Sequence, residues 1–231
     1  MFPTYIIIVA AGSGTRFGAD IPKQFLPLAG KPVVMRAIER LQSARPEAEI
    51  ILVISESEQP RWEELCREQD FKSPMIVFGG ATRWESVKNG LEAIPTDANP
   101  NSIVLIHDGA RPLVDSNTVS RVCAATLNTD GAIPAVEVTD SLRRLDEDGY
   151  ASEPVNRSEY RAVQTPQGFK LWRLRQAYSL PYDASFTDDA SVLAEAGFTN
   201  ICLVKGSPDN IKITHPRDIA IAEAILDFTT E

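Results

Sequence analysis

Six short runs of apolar and β-branched residues recur along the chain, and each is typical of a strand buried within a sheet. They cover residues 5–11, 49–55, 74–80, 102–109, 131–138 and 200–206. Apolar residues recur at helical spacing in three of the intervening segments. These are residues 31–42, with Pro32 in the first turn, residues 82–94, beginning on Thr82, and residues 116–127, beginning on Ser116.

Strands that alternate with helices require crossover connections, and such connections build a mostly parallel sheet. We therefore expect the α/β class: a single Rossmann-like domain over residues 1–231, with a twisted, mostly parallel sheet flanked by helices.

Residues 137–163 interrupt this alternation. They show no helical stripe, and polar positions alternate around Asp148 and Gly149 as in a hairpin. We expect an extended β-arm inserted at about residues 137–163. An exposed strand edge tends to pair with another chain, and a second copy of the protein is the simplest cover. The arm therefore predicts a homodimer.

Composition narrows the classes of partner. Of 231 residues, 43% are hydrophobic and 24% charged, which is ordinary for a globular protein, and the formal net charge of −9 argues against a nucleic-acid surface. The apolar run at residues 5–11 is far shorter than the roughly 20 residues that span a bilayer, and no basic segment precedes it. The three cysteines have no C-x-x-C spacing, which argues against disulfides and zinc. We expect a soluble, cytoplasmic protein without nucleic-acid or membrane partners.

Glycines and charged residues follow four of the predicted strands, in "AAGSGTR", "GGATR", "HDGARP" and "KGSPDNIK". In open parallel sheets ligands bind beyond the carboxyl ends of the strands, so all four segments are predicted to face one crevice. The glycines let backbone N–H groups approach a ligand closely. Arg16, Lys23, Arg111 and Lys212 would supply local positive charge for a small anionic substrate.

The first of these loops matches no standard nucleotide fingerprint. Gly12, Gly14 and Gly18 are spaced one residue too widely for the dinucleotide pattern, and the pair Gly30 and Lys31 lacks the following Ser or Thr of a Walker loop.

The residues alone also leave simpler explanations open. The glycines can form ordinary turns, Arg16 and Lys23 can lie on a solvated surface, and Asp108 and Asp209 can be helix or turn caps. His107 is predicted to be a packed histidine that orients its loop, because no Ser or Cys partner marks a catalytic triad.

The ordered set of motifs resembles the 2-C-methyl-D-erythritol 4-phosphate cytidylyltransferase family over essentially the whole chain. "AAGSGTRFG…PKQFLPLAGKP" is similar to the family's signature loop, "GGATRWESVKNGL" to its G-G-x-x-R-x-x-S-V segment, and "HDGARP" to its acidic turn. "TPQGF", "TDDAS" and "DNIKIT" follow in the family's order. Two positions depart from the pattern: Gly109 where Ala is common, and Ser141 where Thr is expected.

The resemblance implies a reaction in which an oxygen of methylerythritol 4-phosphate attacks the α-phosphorus of CTP and pyrophosphate leaves. Two polyanions must meet while negative charge builds on phosphoryl oxygens, so the site needs fixed cations and a metal rather than a protein nucleophile. The implied cofactor is Mg²⁺, which prefers phosphate and carboxylate oxygens.

The resemblance also implies a role for each site residue. The catalytic cations would be Arg16, Lys23 and Lys212. The nucleotide would be bound by Ala10, Ala11, Gly12, Gly14, Gly80, Ser86 and Asp108. The sugar phosphate would be bound by Arg111, Ser141, Arg157, Thr165 and Thr187. Asp108 and Asp209 would lie at the metal. From the pattern of the arm itself, we expect the arm of one subunit to bring Arg157 to its partner's site.

Two alternatives stay open. A ribitol 5-phosphate cytidylyltransferase of the same fold has a similar signature loop, although "HDGARP" and "TPQGF" favour methylerythritol phosphate. A non-catalytic nucleotide-binding regulator would have a decayed site, and the presence of Arg16, Lys23, Asp108 and Lys212 counts against decay.

Overall fold

The computed structural model describes residues 2–12 and 21–229. In these ranges the strands are β1 (Thr4–Val9), β2 (Pro27–Leu28), β3 (Lys31–Pro32), β4 (Glu49–Ile54), β5 (Met75–Phe78), β6 (Ile103–Asp108), β7 (Gly131–Glu137), β8 (Arg143–Leu145), β9 (Ser152–Pro154), β10 (Arg161–Val163), β11 (Gln167–Lys170) and β12 (Ile201–Lys205). The helices are α1 (Val33–Ala44), α2 (Gln59–Glu68), α3 (Arg83–Glu92), α4 (Ser116–Thr126), α5 (Leu171–Ala177), α6 (Asp189–Glu195) and α7 (Arg217–Thr229).

An eight-stranded sheet organises the described chain, in the order β10-β7-β11-β6-β1-β4-β5, with β12 also paired to β7. β1 is parallel to β4 and β6, β4 is parallel to β5, and β12 is parallel to β7. β11 lies between β6 and β7 and is antiparallel to both, while β10 is antiparallel to β7. The sheet is therefore mostly parallel, which confirms the predicted α/β fold.

Both faces of this sheet are covered, because residues of the central strands alternate between two apolar layers. Ile6 and Ile8 of β1 pack in one layer, together with apolar residues of α1 and α4. Tyr5 and Ile7 pack in the other layer, with residues of α3, α5 and α6. Strands buried on both faces account for the uninterrupted apolar runs in the sequence.

The observed starts of α1, α3 and α4 agree with the predicted starts to within one or two residues. Thr82 caps α3, as predicted, in a capping box with Glu85. α4 begins at Ser116, but its cap is Asp115, whose carboxylate accepts from the backbone N–H of Thr118. α1 begins after Pro32 rather than on it, since Pro32 pairs in β3.

The arm segment contains a separate hairpin of β8 and β9. Arg144 on β8 forms an ion pair with Glu153 on β9, and both side chains are largely exposed. The Asp146 carboxylate closes the turn by accepting from the backbone N–H groups of Tyr150 and Ala151. Tyr150 itself is 95% exposed, so the tip of the hairpin lies away from the rest of the described chain.

The sequence prediction missed α2, α5, α6, β2, β3 and β11, and it placed the residues of β10 in the arm, whereas β10 pairs with β7 in the main sheet. No helix in the described ranges is both long enough and apolar enough to span a membrane.

Candidate active site

Loops that follow the parallel strands meet at one edge of the sheet, as predicted. The loop after β6 is bonded to the end of β1, since the Gly109 N–H donates to the Val9 carbonyl at 2.9 Å. The loop after β12 reaches the same place, where the Ile213 N–H donates to the Ala110 carbonyl at 2.8 Å. The structure thus joins the "HDGARP" turn to both the end of the first strand and the "DNIKIT" segment.

Asp108 is the centre of charge at this edge. Its carboxylate lies 2.8 Å from the Nζ atom of Lys212, 3.5 Å from Nε of Arg83 and 3.8 Å from Nε of Arg111. Burial alone would raise the pKa of Asp108, but the attraction of Arg83, Lys212 and Arg111 holds that pKa well below its ordinary value. Asp108 is therefore a fixed anion at neutral pH, surrounded by three cations. We call these four residues the acidic-turn cluster.

His107 fixes the backbone of this turn. Its Nε2 atom lies 3.0 Å from the Arg111 carbonyl, which can only accept, so Nε2 carries the proton. Nδ1 then accepts from the hydroxyl of Thr165 at 3.0 Å, and the same hydroxyl oxygen accepts from the Asp108 N–H at 3.0 Å. Burial lowers the pKa of His107 to about 4. A neutral, fully buried His107 matches the predicted packed histidine.

Thr165 reaches the acidic turn because β11 runs against its neighbours. The amino end of an antiparallel strand lies at the carboxyl edge of the parallel strands beside it. Asn210 holds this junction from the other side, donating to the Thr165 carbonyl at 2.8 Å while its own backbone carbonyl accepts from Arg111 at 2.7 Å. The predicted substrate residues Arg111 and Thr165 are thus brought together with Asp108.

A second part of the site surrounds the start of α3. The Ser86 hydroxyl accepts from the Gly80 N–H at 3.2 Å and donates to the Thr82 carbonyl at 2.9 Å. A Cβ atom added to Gly79 would lie 2.4 Å from the Ala11 Cβ atom, so only glycine fits there. Ala11, Gly80 and Ser86, three of the predicted nucleotide-binding positions, therefore lie close together.

Ala10 and Gly12 are bound through their backbone to β4 and to the side chain of Gln24. The Ala10 N–H continues the sheet by donating to the Val53 carbonyl at 2.7 Å, so this amide is already used within the protein. The Ala10 and Gly12 carbonyls both accept from the side-chain amide of Gln24, at 2.7 and 3.0 Å. Gln24 is 3% exposed and follows Lys23 in a short 3-10 turn, Lys23–Phe25. Sequence reasoning missed Gln24, although it stands in the quoted "PKQF" motif.

Two predicted residues of the first loop, Gly14 and Arg16, lie outside the described residues.

Arg83 is a further residue that sequence reasoning missed. It opens α3, and its guanidinium binds Asp189 of α6 with two parallel hydrogen bonds of 3.0 and 2.7 Å. Asp189 is fully buried and also accepts from the Tyr178 hydroxyl at 2.7 Å. Burial would lower the pKa of Arg83, but Asp189 and Asp108 raise it well above the ordinary value. Arg83 stands in the quoted "GGATR" motif, but its partner is 106 residues away in sequence.

The remaining predicted residues are exposed. Thr187 precedes the α6 cap, and its N–H donates to the Ser191 hydroxyl at 3.1 Å. Arg157 donates to the Thr139 carbonyl within the arm segment. No hydrogen bond or ion pair within residues 2–12 and 21–229 links Ser141, Arg157, Thr187 or Asp209 to the acidic-turn cluster.

The described ranges contain no group of three or more His, Cys, Asp or Glu side chains that could hold a metal ion by themselves. The Asp108 carboxylate fits Mg²⁺ nevertheless, because proteins commonly bind this ion through one or two carboxylates together with substrate phosphates.

Comparison with known proteins decides the family. Residues 4–228 match the family model of 2-C-methyl-D-erythritol 4-phosphate cytidylyltransferase, IspD. The chain belongs to this family. A relative from Phocaeicola vulgatus, itself a 2-C-methyl-D-erythritol 4-phosphate cytidylyltransferase, is 43% identical over 223 residues, which are 96% of this chain and 99% of the relative. A relative of the same name from Bacteroides fragilis is 42% identical, over 95% of this chain and 98% of the relative.

Solved structures agree with this assignment. The crystal structure of 2-C-methyl-D-erythritol 4-phosphate cytidylyltransferase from Thermus thermophilus is similar with a TM-score of 0.75 at 32% identity, covering 98% of this chain and 100% of that one. The 4-diphosphocytidyl-2C-methyl-D-erythritol synthase from Anaerococcus prevotii gives a TM-score of 0.81 at 25% identity, covering 98% and 96% of the two chains. Membership of the IspD family confirms the resemblance drawn from the motif order.

Proposed function

We propose that this protein joins CTP to 2-C-methyl-D-erythritol 4-phosphate, giving 4-diphosphocytidyl-2-C-methyl-D-erythritol and pyrophosphate. Family membership over residues 4–228 supports the activity. The observation that carries it is the acidic-turn cluster, in which three cations surround a buried carboxylate at the carboxyl edge of the sheet. These groups suit a triphosphate and its metal ion.

In the proposed reaction an oxygen of the sugar phosphate forms a bond to the α-phosphorus of CTP, and the bond from that phosphorus to the pyrophosphate oxygen breaks. Arg16, Lys23 and Lys212 stabilise the negative charge that accumulates on the phosphoryl oxygens. Fixed cations stabilise this charge without reorganising during the reaction, so they act on the barrier itself. No nucleophile or general base from the protein is needed, which agrees with a His107 that burial holds neutral.

We assign cytosine recognition to the groups around the start of α3. Ser86 and the backbone of Gly80 and Ala11 offer donors and acceptors close together, and Ser86 is 2% exposed. The base edge of uracil has a carbonyl where cytosine has its amino group. A mismatched base would leave one buried polar group unpaired, at a cost of about 1 to 3 kcal/mol.

The sugar phosphate is proposed to bind opposite the nucleotide, through Arg111, Thr165 and Thr187 of one subunit and through residues of the arm, Ser141 and Arg157. The planar guanidinium of Arg157 can bind a phosphate with two parallel hydrogen bonds. We propose that the arm is exchanged between the subunits of a homodimer, so that Arg157 serves the partner's site. The exposed hairpin with its 64% exposed Leu145 supports this arrangement.

Asp108 and Asp209 are the proposed protein ligands of Mg²⁺. When bound, the ion would neutralise triphosphate charge and orient the leaving pyrophosphate. Asp108 is held ionised by its cationic neighbours, which keeps the carboxylate available as an oxygen ligand. We also propose a cytoplasmic location, which three cysteines outside disulfides support.

A pyrophosphate-release assay tests the function. CTP, UTP and ATP are each combined with methylerythritol 4-phosphate and with ribitol 5-phosphate, with Mg²⁺ or with excess chelator. We expect turnover with CTP and methylerythritol phosphate, a preference over UTP of about 5- to 150-fold, and loss of activity in chelator. Turnover mainly with ribitol phosphate would reassign the substrate. Nucleotide binding without turnover on any pair would indicate a regulator.

A further inference from the structure

We propose that Arg83 is a positioning residue that fixes the start of α6, with its substrate residue Thr187, against the acidic turn at Asp108. The inference rests on the proposed function, because it assigns the start of α3 to the nucleotide and Thr187 to the sugar phosphate.

Arg83 contacts both sides of the site. Its two terminal nitrogens bind the two oxygens of Asp189 at 3.0 and 2.7 Å, and its Nε atom lies 3.5 Å from Asp108. One side chain therefore joins the first residue of α6 to the last residue of β6. Paired hydrogen bonds fix the angle between a guanidinium and a carboxylate as well as their distance. The contact can therefore orient α6 relative to the turn.

Asp189 is anchored strongly enough to transmit this constraint. Its side chain is fully buried, and a buried carboxylate must remain paired with a cation or be neutralised. Tyr178 adds a hydrogen bond from its hydroxyl to the oxygen that also accepts from Arg83. The position of Asp189 is consequently set by charge and by geometry.

The chain just before Asp189 is short and tied down. Asp188 caps α6 through Ser191, and Gln167 of β11 donates to Asp188 at 2.9 Å. Only Asp188 stands between Thr187 and Asp189 in sequence. A shift of Asp189 therefore moves Thr187 with it.

Arg83 also belongs to α3, the helix that carries the proposed nucleotide-binding residue Ser86. Thr82 and Glu85 form the capping box that begins α3, which makes Arg83 the first helical residue. Ser86 follows three residues later, and residues at this spacing lie on one face of a helix. Arg83 thus extends from the helix that carries Ser86 to the helix that follows Thr187.

Replacement of Arg83 by lysine tests whether the geometry of this contact matters or only its charge. Arg83→Lys keeps a positive charge for Asp189 but cannot reproduce the planar pair of hydrogen bonds. The fold should survive while the orientation of α6 is relaxed. We expect the KM for the sugar phosphate to rise by about 10-fold, because small displacements of a binding group are costly. The affinity for CTP should change by less than about threefold, since Ser86 and Gly80 keep their bonds around the start of α3.

The matched control is Arg173→Lys. Arg173 forms an ion pair of 3.0 Å with Asp130, and both side chains are partly buried, at 18% and 20% exposure. Asp130 precedes β7, at the edge of the sheet opposite the candidate site. The control should leave both KM values unchanged. Tyr178→Phe, which leaves both hydrogen bonds of Arg83 in place, should have a smaller effect than Arg83→Lys.

Three measurements are made on each variant: steady-state KM for both substrates, CTP affinity by calorimetry, and amide hydrogen exchange at residues 187–191. Arg83→Lys should show the selective KM increase and faster exchange at these residues. A lower melting temperature with unchanged KM values and exchange would mean that Arg83 is only structural, which overturns the proposal. An equal rise in the KM values for CTP and for the sugar phosphate would also overturn the proposal. Should the wild-type protein lack the proposed activity, hydrogen exchange still decides whether Arg83 holds α6.

Discussion

Two arginine–carboxylate pairs, one that ties the acidic-turn cluster to α6 and one on the arm, show how differently the two regions are organised. Arg83 and Asp189 are 106 residues apart, and the aspartate side chain is completely buried. Arg144 and Glu153 are nine residues apart, with side chains 72% and 57% exposed. An exposed pair typically contributes about 0 to 1 kcal/mol, whereas breaking a buried pair costs several times more.

The difference separates the two halves of the proposed site. The acidic turn is held in place by long-range contacts of its own chain, with Thr165, Asn210 and Arg83 all bound to it or beside it. The hairpin of the arm is held by local contacts across its own two strands. We expect the first half to be formed in each subunit alone and the second to depend on its partner.

The largest expected effect tests the cations of the acidic-turn cluster. Lys212→Ala should lower the rate of the chemical step by about 10²- to 10³-fold, because a cation aimed at charge that develops in the transition state acts chiefly on the barrier. Single-turnover kinetics with bound CTP measure this step. Lys72→Ala is the control, since Lys72 is exposed and precedes β5, at the opposite edge of the sheet. An unchanged chemical step in Lys212→Ala would contradict the role of the cluster.

A smaller effect tests how firmly the acidic turn is buried. The pKa of His107 is lowered to about 4 in the folded protein from an ordinary value of 6.5. Between these values the unfolded chain binds the proton and the folded chain does not, so stability falls as the pH falls. Between pH 7 and 4.5 His107 should remove about 2 to 3 kcal/mol from the free energy of unfolding.

Urea unfolding of the wild type and of His107→Asn at both pH values measures this contribution. The substituted protein should start less stable at pH 7 and lose less stability on acidification. Equal losses in the two proteins would show that His107 titrates normally and that the turn is not closed as described.

The smallest effect tests the partner dependence of the arm. Arg157→Ala and Lys212→Ala chains should each be poor alone, but a mixed dimer combines one intact cluster with one intact arm. Co-expressed, differently tagged heterodimers should recover up to about half of the wild-type activity per dimer, since one of two composite sites is whole. Arg144→Ala, a change elsewhere on the arm, serves as the control. Heterodimers as inactive as their parents would place Arg157 in its own subunit's site.

Much of the fold could be predicted because its strands are buried on both faces. Ile6, Ile7 and Ile8 form one apolar run in sequence, and all three are fully buried. β11 could not be found this way, because "QGFK" has a glycine and two polar residues and becomes a strand only through pairing with β6 and β7. Tertiary context decides the conformation of such a segment.

The candidate site likewise contains residues that local sequence identifies and residues that only the tertiary structure reveals. Asp108, Arg111 and Lys212 could be singled out because each follows or ends a strand, and the rule that ligands bind at strand ends needs only local sequence. The Arg83–Asp189 pair depends on the position of α6 relative to α3, and no local sequence pattern predicts that position. Gln24 resembles a surface residue in sequence, yet it is buried against the carbonyls of Ala10 and Gly12.

The separation in sequence of the contacts around Asp108 has a consequence for biosynthesis. Thr165 is 57 residues beyond Asp108, Asn210 is 99 beyond Arg111, and Lys212 follows two residues later. A ribosome adds about 5 to 20 residues per second, so the acidic turn is made roughly 5 to 20 seconds before Lys212. A nascent chain can form β1, β4, β5 and β6 in that interval, but it lacks the lysine and the asparagine that complete the turn. We therefore expect the charged cluster to close only late in translation, after Asn210 and Lys212 have been made.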